Sequence, residues 1–206
     1  MYNKSKQELA SCFFLNFNTK PIDMIPSLKT ENTQLLIIDI QGKLADIVVD
    51  SETVLKNTET LIKSARILNL PIVWVEQNPE GLGRTHENLK TLLEEQKEML
   101  PKHTFSALKN ENIRKQIAVN ARKQILVCGV EAHVCVYQTA MDLLNENYEV
   151  HLITDAVSSR TEKSRELGIA KMCKFGAVES STEMALFELM KTHQHSNFRE
   201  ILKLIK

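Results

Sequence analysis

The sequence lacks the features that mark several large classes of protein. Its longest apolar runs, such as LLIIDI and ILVCGV, are far too short to span a bilayer. It contains neither a GxGxxG fingerprint nor a GxxxxGK[ST] loop, so we expect no cradle for nucleotide phosphates. The 26 basic and 26 acidic residues cancel, and this balance predicts neither a nucleic-acid partner nor a membrane-surface partner.

Cysteine is scarce and shows no pairing pattern. The four cysteines, at positions 12, 128, 135 and 173, form no CxxC pair, so we expect reduced thiols and a cytoplasmic protein. The first 30 residues hold a short apolar patch, Cys12–Leu15, but not the sustained apolar region of a signal peptide. We therefore predict an N-terminal arm over residues 1–30, packed on the domain or on a neighbouring subunit, and a single domain over residues 31–206.

Short β-branched runs alternate along the chain with longer helical patterns. Gln34–Asp39 and Gln124–Cys128 are mostly apolar at consecutive positions, which is typical of strands that are buried on both faces. Helical periodicity covers Ser51–Leu70, with Ser51 as the predicted N-cap, and residues 133–146. Further strands are predicted at Ile72–Val75, Tyr148–Thr154 and near Ala177–Val178, and further helices over about 161–173 and, as one long helix, from Thr182. This alternation predicts an α/β fold in which helices cover both faces of a parallel sheet.

Three residues with reactive side chains follow predicted strands. In open parallel sheets, ligands bind beyond the carboxyl ends of the strands, so these positions carry the candidate chemistry. Asp39 closes the first strand, Lys102 follows a proline, and Cys135 lies at the opening turn of a helix. Each has an ordinary interpretation when taken alone: a turn or N-cap aspartate, a solvated lysine, and a buried inert cysteine.

Taken together, the three side chains provide the groups needed for acyl transfer through a thioester. A helix N-terminus and a nearby ammonium group both lower the pKa of a thiol, so we expect Cys135 to have a lowered pKa. Asp39 can accept the thiol proton and return it to a leaving amine. Backbone N–H groups in the 130–135 turn can stabilise the developing oxyanion.

Four segments of the sequence carry a family resemblance. LLIIDIQ, WVEQNPEGLG, PKHTFSAL and above all VCGVEAHVCVYQTAMDLLNENYEVHLITDAVSSR resemble the isochorismatase-like hydrolases, and most closely the isochorismatase-domain-containing proteins. The resemblance runs from about residue 33 to 190 and leaves the N-terminal arm outside. It implies a three-layer α/β/α sandwich with a six-stranded parallel sheet.

The resemblance also implies roles for individual residues. The cysteine members of the superfamily, such as nicotinamidase and N-carbamoylsarcosine amidase, use an Asp–Lys–Cys triad, which corresponds here to Asp39, Lys102 and Cys135. It further implies a cis peptide bond between Val130 and Glu131, with the backbone amides of Glu131 and Cys135 as oxyanion donors.

The sequence departs from two members of that superfamily. Nicotinamidases carry an Asp-x-His…His metal site after the second strand, whereas this stretch holds His86 alone, so we predict no metal and no cofactor. The pair His193 and His195, without a third ligand, is more typical of solvated side chains. True isochorismatases cleave a vinyl ether and need no cysteine at position 135. We expect Asp155 to cap or brace a loop rather than to take part in catalysis.

The leading hypothesis is a cysteine-dependent hydrolase that cleaves a small amide or carbamoyl C–N bond. Gln41, Gln77 and Phe105 are candidates for the pocket of a small-molecule substrate, although Phe105 fits a core position equally well. By analogy with relatives we expect a homo-oligomer. Two alternatives stay open: a catalytically lapsed or thiol-sensing oligomeric protein with the same fold, and a dinucleotide-binding oxidoreductase, which the missing glycine fingerprint disfavours.

Overall fold

The computed structural model describes residues 27–94 and 98–206 of the chain. Within these ranges, six strands form one sheet in which all neighbouring strands are parallel. The sheet order is β3-β2-β1-β4-β5-β6, so successive strands move outward from β1 on one side and from β4 on the other. Such a switch point opens a crevice beyond the ends of the two central strands. The strands are β1 (Thr33–Ile38), β2 (Ile72–Gln77), β3 (Leu100–Lys102), β4 (Gln124–Val130), β5 (Glu149–Ser158) and β6 (Val178–Ser180).

Helices cover both faces of this sheet and give the predicted three-layer sandwich. One face carries α1 (Gly42–Ile47), α2 (Ser51–Ile67), α4 (Glu87–Glu94), α8 (Thr182–Met190) and α9 (Phe198–Ile205). The other face carries α5 (Glu111–Val119), α6 (Tyr137–Asn145) and α7 (Glu162–Lys174). A short helix, α3 (Pro79–Leu82), lies in the connection after β2, and a π-helical turn, Ala132–Val136, leads into α6.

The central strands contribute to two separate cores because their side chains alternate between the faces. In β1, Leu35 and Ile37 pack with the α2 layer, whereas Leu36 and Ile38 pack with the α5–α7 layer. All six residues of β1 are buried, as expected for a strand covered on both sides. In β4 the same alternation places Cys128 in the core of the α2 layer.

The prediction of one long helix from Thr182 is wrong. Helix α8 ends at Met190, and α9 begins only at Phe198. The break is at Lys191, whose φ of 62° lies in the left-handed region that ends helices. A glycine usually marks such an ending, and here a lysine occupies the position, so the sequence carries no sign of the break. Ser51 was also wrongly predicted as an N-cap, since the N-cap of α2 is Asp50.

The predicted N-terminal arm lies mostly outside the described residues, which begin at 27. Where the description begins, Leu28 is fully buried and its N–H donates to Glu188 Oε1 over 2.9 Å. The division between arm and domain at residue 30 stays a prediction. In the described parts of the chain, no helix has the length and apolar character needed to cross a membrane.

Candidate active site

The carboxyl edge of the sheet brings Asp39 and Lys102 into direct contact. Asp39 directly follows β1, and Lys102 is the last residue of β3. The Lys102 Nζ donates to Asp39 Oδ2 over 2.7 Å, with the two residues 0% and 2% exposed. Such a buried charged pair requires good geometry to offset the loss of hydration.

Cys135 lies in the turn that follows β4 and interacts with both members of this pair. Charge and hydrogen-bonding interactions with Asp39 raise the pKa of the thiol, and those with Lys102 lower it. The thiol is nearly buried, with 7% of the residue exposed. The Asp39 carboxylate interacts with the Cys135 thiol and with the backbone N–H of Gln77, and its buried Oδ1 has no other hydrogen-bond donor among the described residues. The three residues singled out in the sequence therefore form one cluster.

Two glycines allow the backbone around Cys135 to pack closely. Gly129 has a φ of +133°, and a Cβ there would lie 2.0 Å from the backbone oxygen of Ile38, next to Asp39. A Cβ on Gly168 of α7 would lie 2.7 Å from the backbone of Ala132. Their missing side chains let the end of β4 approach β1 and let α7 pack against the π-helical turn.

The turn itself is held by backbone and side-chain contacts. The peptide bond between Val130 and Glu131 is cis, at the position where the resemblance expects one. The Glu131 carboxylate accepts hydrogen bonds from the backbone N–H of Arg160 over 3.1 Å and from its Nε over 2.9 Å. His133 Nδ1 lies 2.9 Å from Ser159 Oγ. These contacts tie the turn to the segment that follows β5.

The expectation of a lowered thiol pKa is wrong. Burial is the largest cause and, together with the negative charge of Asp39, raises the pKa of Cys135 to about 12, although Lys102 lowers it. The pKa of Asp39 is also raised, because burial outweighs the favourable contact with Lys102. The Cys135 thiol therefore rests protonated near neutral pH, and the helix N-terminus does not produce a free thiolate.

The three predicted pocket residues have different surroundings. Gln41 is fully buried: its Oε1 accepts from the Gln77 N–H over 2.7 Å, and its Nε2 donates to the carbonyls of Gln77 and Gly83. These hydrogen bonds brace the backbone of Gln77 and Gly83, and a role for Gln41 in a substrate pocket stays a prediction. Phe105 is 55% exposed and lines a surface cavity of about 490 Å³ beside Tyr137 and Met141, a lining that does not include Cys135.

Gln77 contacts the reactive cluster directly. Its Oε1 accepts from Lys102 Nζ over 2.7 Å, and its Nε2 donates to the carbonyl of His103 over 3.0 Å. Sequence reasoning placed Gln77 in a pocket and missed its contact with Lys102. The sequence signal for this contact was the position of Gln77 at the end of β2. Strand β2 pairs with β3, and Gln77 lies opposite Lys102 in that pairing.

Histidine and acidic side chains form no metal centre in the described residues, where no three His, Cys, Asp or Glu side chains are grouped. His86 lies near Asp46, with 3.4 Å between Nε2 and Oδ1. The absence of a metal stays a prediction. Asp155 accepts hydrogen bonds at Oδ1 from the backbone N–H and the hydroxyl of Thr182, and it braces the start of α8 as expected.

Comparison with known proteins identifies relatives over most of the chain. Residues 33–184 match the isochorismatase domain family. The chain is 34% identical to isochorismatase domain-containing protein 2 of Danio rerio over 88% of its length and 90% of that protein.

Several solved structures are similar, and two of them illustrate the match. The MAR1 ribonuclease from Caenorhabditis elegans is 33% identical with a TM-score of 0.82, covering 87% of this chain and 92% of that one. YcaC from Pseudomonas aeruginosa, in complex with hexane-2,5-diol and covalent acrylamide, is 25% identical with a TM-score of 0.81, covering 86% and 91%.

Proposed function

The chain belongs to the isochorismatase domain family, and we propose that it is a cysteine-dependent hydrolase that cleaves a small amide or carbamoyl C–N bond through a thioester on Cys135. The observation that carries this proposal is the buried cluster of a thiol, a carboxylate and an ammonium at the switch point of the sheet. A thiol with an adjacent base is the arrangement expected for nucleophilic catalysis.

The first half of the proposed reaction forms the thioester. Asp39 accepts the proton of the Cys135 thiol while Sγ attacks the substrate carbonyl carbon, which gives a tetrahedral intermediate with a negatively charged oxygen. The backbone N–H groups of Glu131 and Cys135 are the proposed donors to this oxyanion. The intermediate collapses, the C–N bond breaks, and Asp39 returns the proton to the leaving nitrogen.

The second half releases the acid. A water molecule gives a proton to Asp39 and attacks the thioester carbon, and the C–S bond then breaks. The carboxylic or carbamic acid leaves, and the proton on Asp39 returns to the sulfur. Throughout this cycle Lys102 stabilises negative charge wherever it resides, on Asp39 or on the sulfur.

The raised pKa of the thiol fits this mechanism because the proton moves within the cluster. Cys135 need not be ionised before it reacts, because the Asp39 carboxylate removes the thiol proton as the bond from sulfur to carbon forms. The covalent acrylamide in the YcaC structure supports the proposal by analogy, because acrylamide is an electrophile that thiols attack.

A thiol sensor is the weaker interpretation of the same cluster. Sensor cysteines are exposed and have low pKa values, since oxidants react with the thiolate. Cys135 is 7% exposed and its pKa is raised to about 12, so its surroundings oppose rapid oxidation.

Ribonuclease activity, named for the C. elegans relative, is a further activity to test. An RNA phosphodiester offers no carbonyl carbon for a thiol to attack, and the ammonium of the cluster is already paired with Asp39. The cluster therefore favours acyl transfer over phosphodiester cleavage.

The test compares the wild-type, Cys135→Ala and Cys128→Ala proteins on a panel of small amides and carbamoyl compounds. Turnover is measured as the release of ammonia or amine. Removing a nucleophile from such a catalytic group costs about 10³-fold or more in rate. We expect that loss for Cys135→Ala, and near wild-type turnover for Cys128→Ala, the matched control. Full activity of Cys135→Ala on the substrate identified, or RNA cleavage that survives this substitution, would contradict the proposal.

A further inference from the structure

The side-chain amide of Gln77 is fixed in one orientation by its two partners. Its Nε2 donates to the carbonyl of His103 and its Oε1 accepts from the Lys102 ammonium. A flipped amide would place N–H groups against the ammonium and oxygen against a carbonyl, and both contacts are repulsive. The ammonium therefore always faces an acceptor oxygen of Gln77.

The backbone of Gln77 is itself held in place. Its N–H and its carbonyl both bond to the side-chain amide of Gln41, over 2.7 Å and 3.0 Å. Gln41 is fully buried and comes shortly after Asp39. A continuous set of hydrogen bonds thus joins the segment that carries Asp39, through Gln41 and Gln77, to Lys102.

The ammonium has a second acceptor of a different kind. Asp39 Oδ2 and Gln77 Oε1 both lie 2.7 Å from Lys102 Nζ, one from a carboxylate and one from a neutral amide. An ammonium group has three N–H donors, so one remains for the sulfur of Cys135, with which Lys102 interacts. In the proposed cycle Asp39 becomes neutral when it takes the thiol proton, and its attraction for the ammonium then falls. The attraction of the Gln77 oxygen stays constant.

We propose that Gln77 is a positioning residue that keeps the Lys102 ammonium aimed at the Cys135 sulfur during the part of the cycle in which Asp39 is neutral. This inference rests on the proposed function. It assigns to Gln77 an effect that is exerted entirely through Lys102, and not through contact with the substrate.

The test measures alkylation of Cys135 by acrylamide, which needs no amide substrate. Gln77→Met keeps the length of the side chain and removes the acceptor, and Gln138→Met changes an exposed glutamine of α6 as the matched control. A hydrogen bond to a charged group is worth enough to change a rate about tenfold. The rate of Cys135 alkylation is measured by peptide mass mapping. We expect it to fall about tenfold in Gln77→Met and to stay at the wild-type rate in Gln138→Met.

A double-mutant cycle with Lys102→Met gives the decisive comparison. If Gln77 acts through Lys102, Gln77→Met has no further effect on alkylation in the Lys102→Met background. The same loss in both backgrounds, or a wild-type rate in Gln77→Met, overturns the inference. Thermal unfolding of each variant shows whether a rate change reflects a disturbed fold.

Gln77→Glu provides a second readout if Lys102→Met does not fold. It keeps an acceptor oxygen for the Lys102 ammonium, so alkylation of Cys135 should be faster in Gln77→Glu than in Gln77→Met. Equal rates in the two variants overturn the inference. Failure of the proposed function would appear separately, as turnover that survives Cys135→Ala.

Discussion

Two cysteines that lie close together in the chain have similar acidities and different surroundings. Burial raises the pKa of both Cys128 and Cys135 to about 12. Cys128 lies in the core of the α2 layer, where its thiol donates to the carbonyl of Leu36 over 3.8 Å. Cys135 lies on the opposite face, beside Asp39 and Lys102. The pKa alone therefore does not identify the nucleophile; an adjacent base and an adjacent cation do.

The negative charge of an aspartate also raises the pKa of each of the two thiols. Asp155 raises the pKa of Cys128, but its Oδ1 is occupied by two hydrogen bonds from Thr182. The Asp39 carboxylate interacts with the Cys135 thiol and the Gln77 backbone N–H, and its Oδ1 has no other donor among the described residues. Asp155 therefore stabilises the start of α8, whereas Asp39 has an oxygen that can accept the proton of the Cys135 thiol.

Replacing each aspartate by asparagine tests this difference with the largest expected effect. Asp39→Asn removes the general base and should lower turnover by about 10²- to 10⁴-fold. Asp155→Asn, the matched control, should leave turnover close to wild type, because Asp155 touches none of the three clustered side chains. Initial rates of amide hydrolysis measure both.

Asp39→Asn should lower turnover but should make the Cys135 thiol easier to ionise. The negative charge of Asp39 raises the pKa of Cys135 and Lys102 lowers it, so Asp39→Asn should lower that pKa. The measurement is thiolate absorbance against pH, corrected with Asp39→Asn/Cys135→Ala. An unchanged pKa, or turnover retained by Asp39→Asn, would show that Asp39 does not act on the thiol.

Replacing Cys128 by alanine should affect stability instead of turnover. The folded-state pKa of about 12 exceeds the ordinary value of 9.0, so the thiol's contribution to stability is fully present below pH 9.0 and is lost as the pH rises toward 12. The wild-type protein should lose about 1.4 kcal/mol per pH unit in that window from this group, and Cys128→Ala should not.

Chemical denaturation of both proteins at several pH values measures this difference. Near neutral pH, Cys128→Ala should be less stable by about 1 kcal/mol, because the substitution leaves a small cavity in the α2 layer. The gap should close within about one pH unit above 9.0 and then reverse, so that Cys128→Ala becomes the more stable protein at higher pH. A gap that is independent of pH would mean that Cys128 ionises as easily in the folded as in the unfolded chain.

The fold and two of the three clustered residues were predictable because they depend on local patterns. Strands β1 and β4 are apolar at consecutive positions, which indicates burial on both faces and hence a parallel sheet. The rule that ligands bind beyond strand ends then indicates Asp39 and Cys135, whereas Lys102 depended on the family resemblance.

Other features depend on contacts between distant residues and leave little trace in the sequence. Strand β3 is three residues long and includes Pro101, so no periodicity marks it. The bonds of Gln41 to Gln77 join the ends of two strands, and no spacing rule predicts them. The raised pKa of Cys135 follows from burial by the surrounding layers, whereas the sequence showed only the helix N-terminus and the lysine.

The most direct test of the central claim is a search for the covalent intermediate on Cys135. Turnover of an active amide substrate is stopped with acid, and peptides that contain Cys128, Cys135 and Cys173 are compared by mass. The mechanism predicts an acyl group on Cys135, with the mass of the substrate less its leaving amine, and unmodified Cys128 and Cys173. Rapid turnover with an adduct on another residue, and none on Cys135, would contradict it.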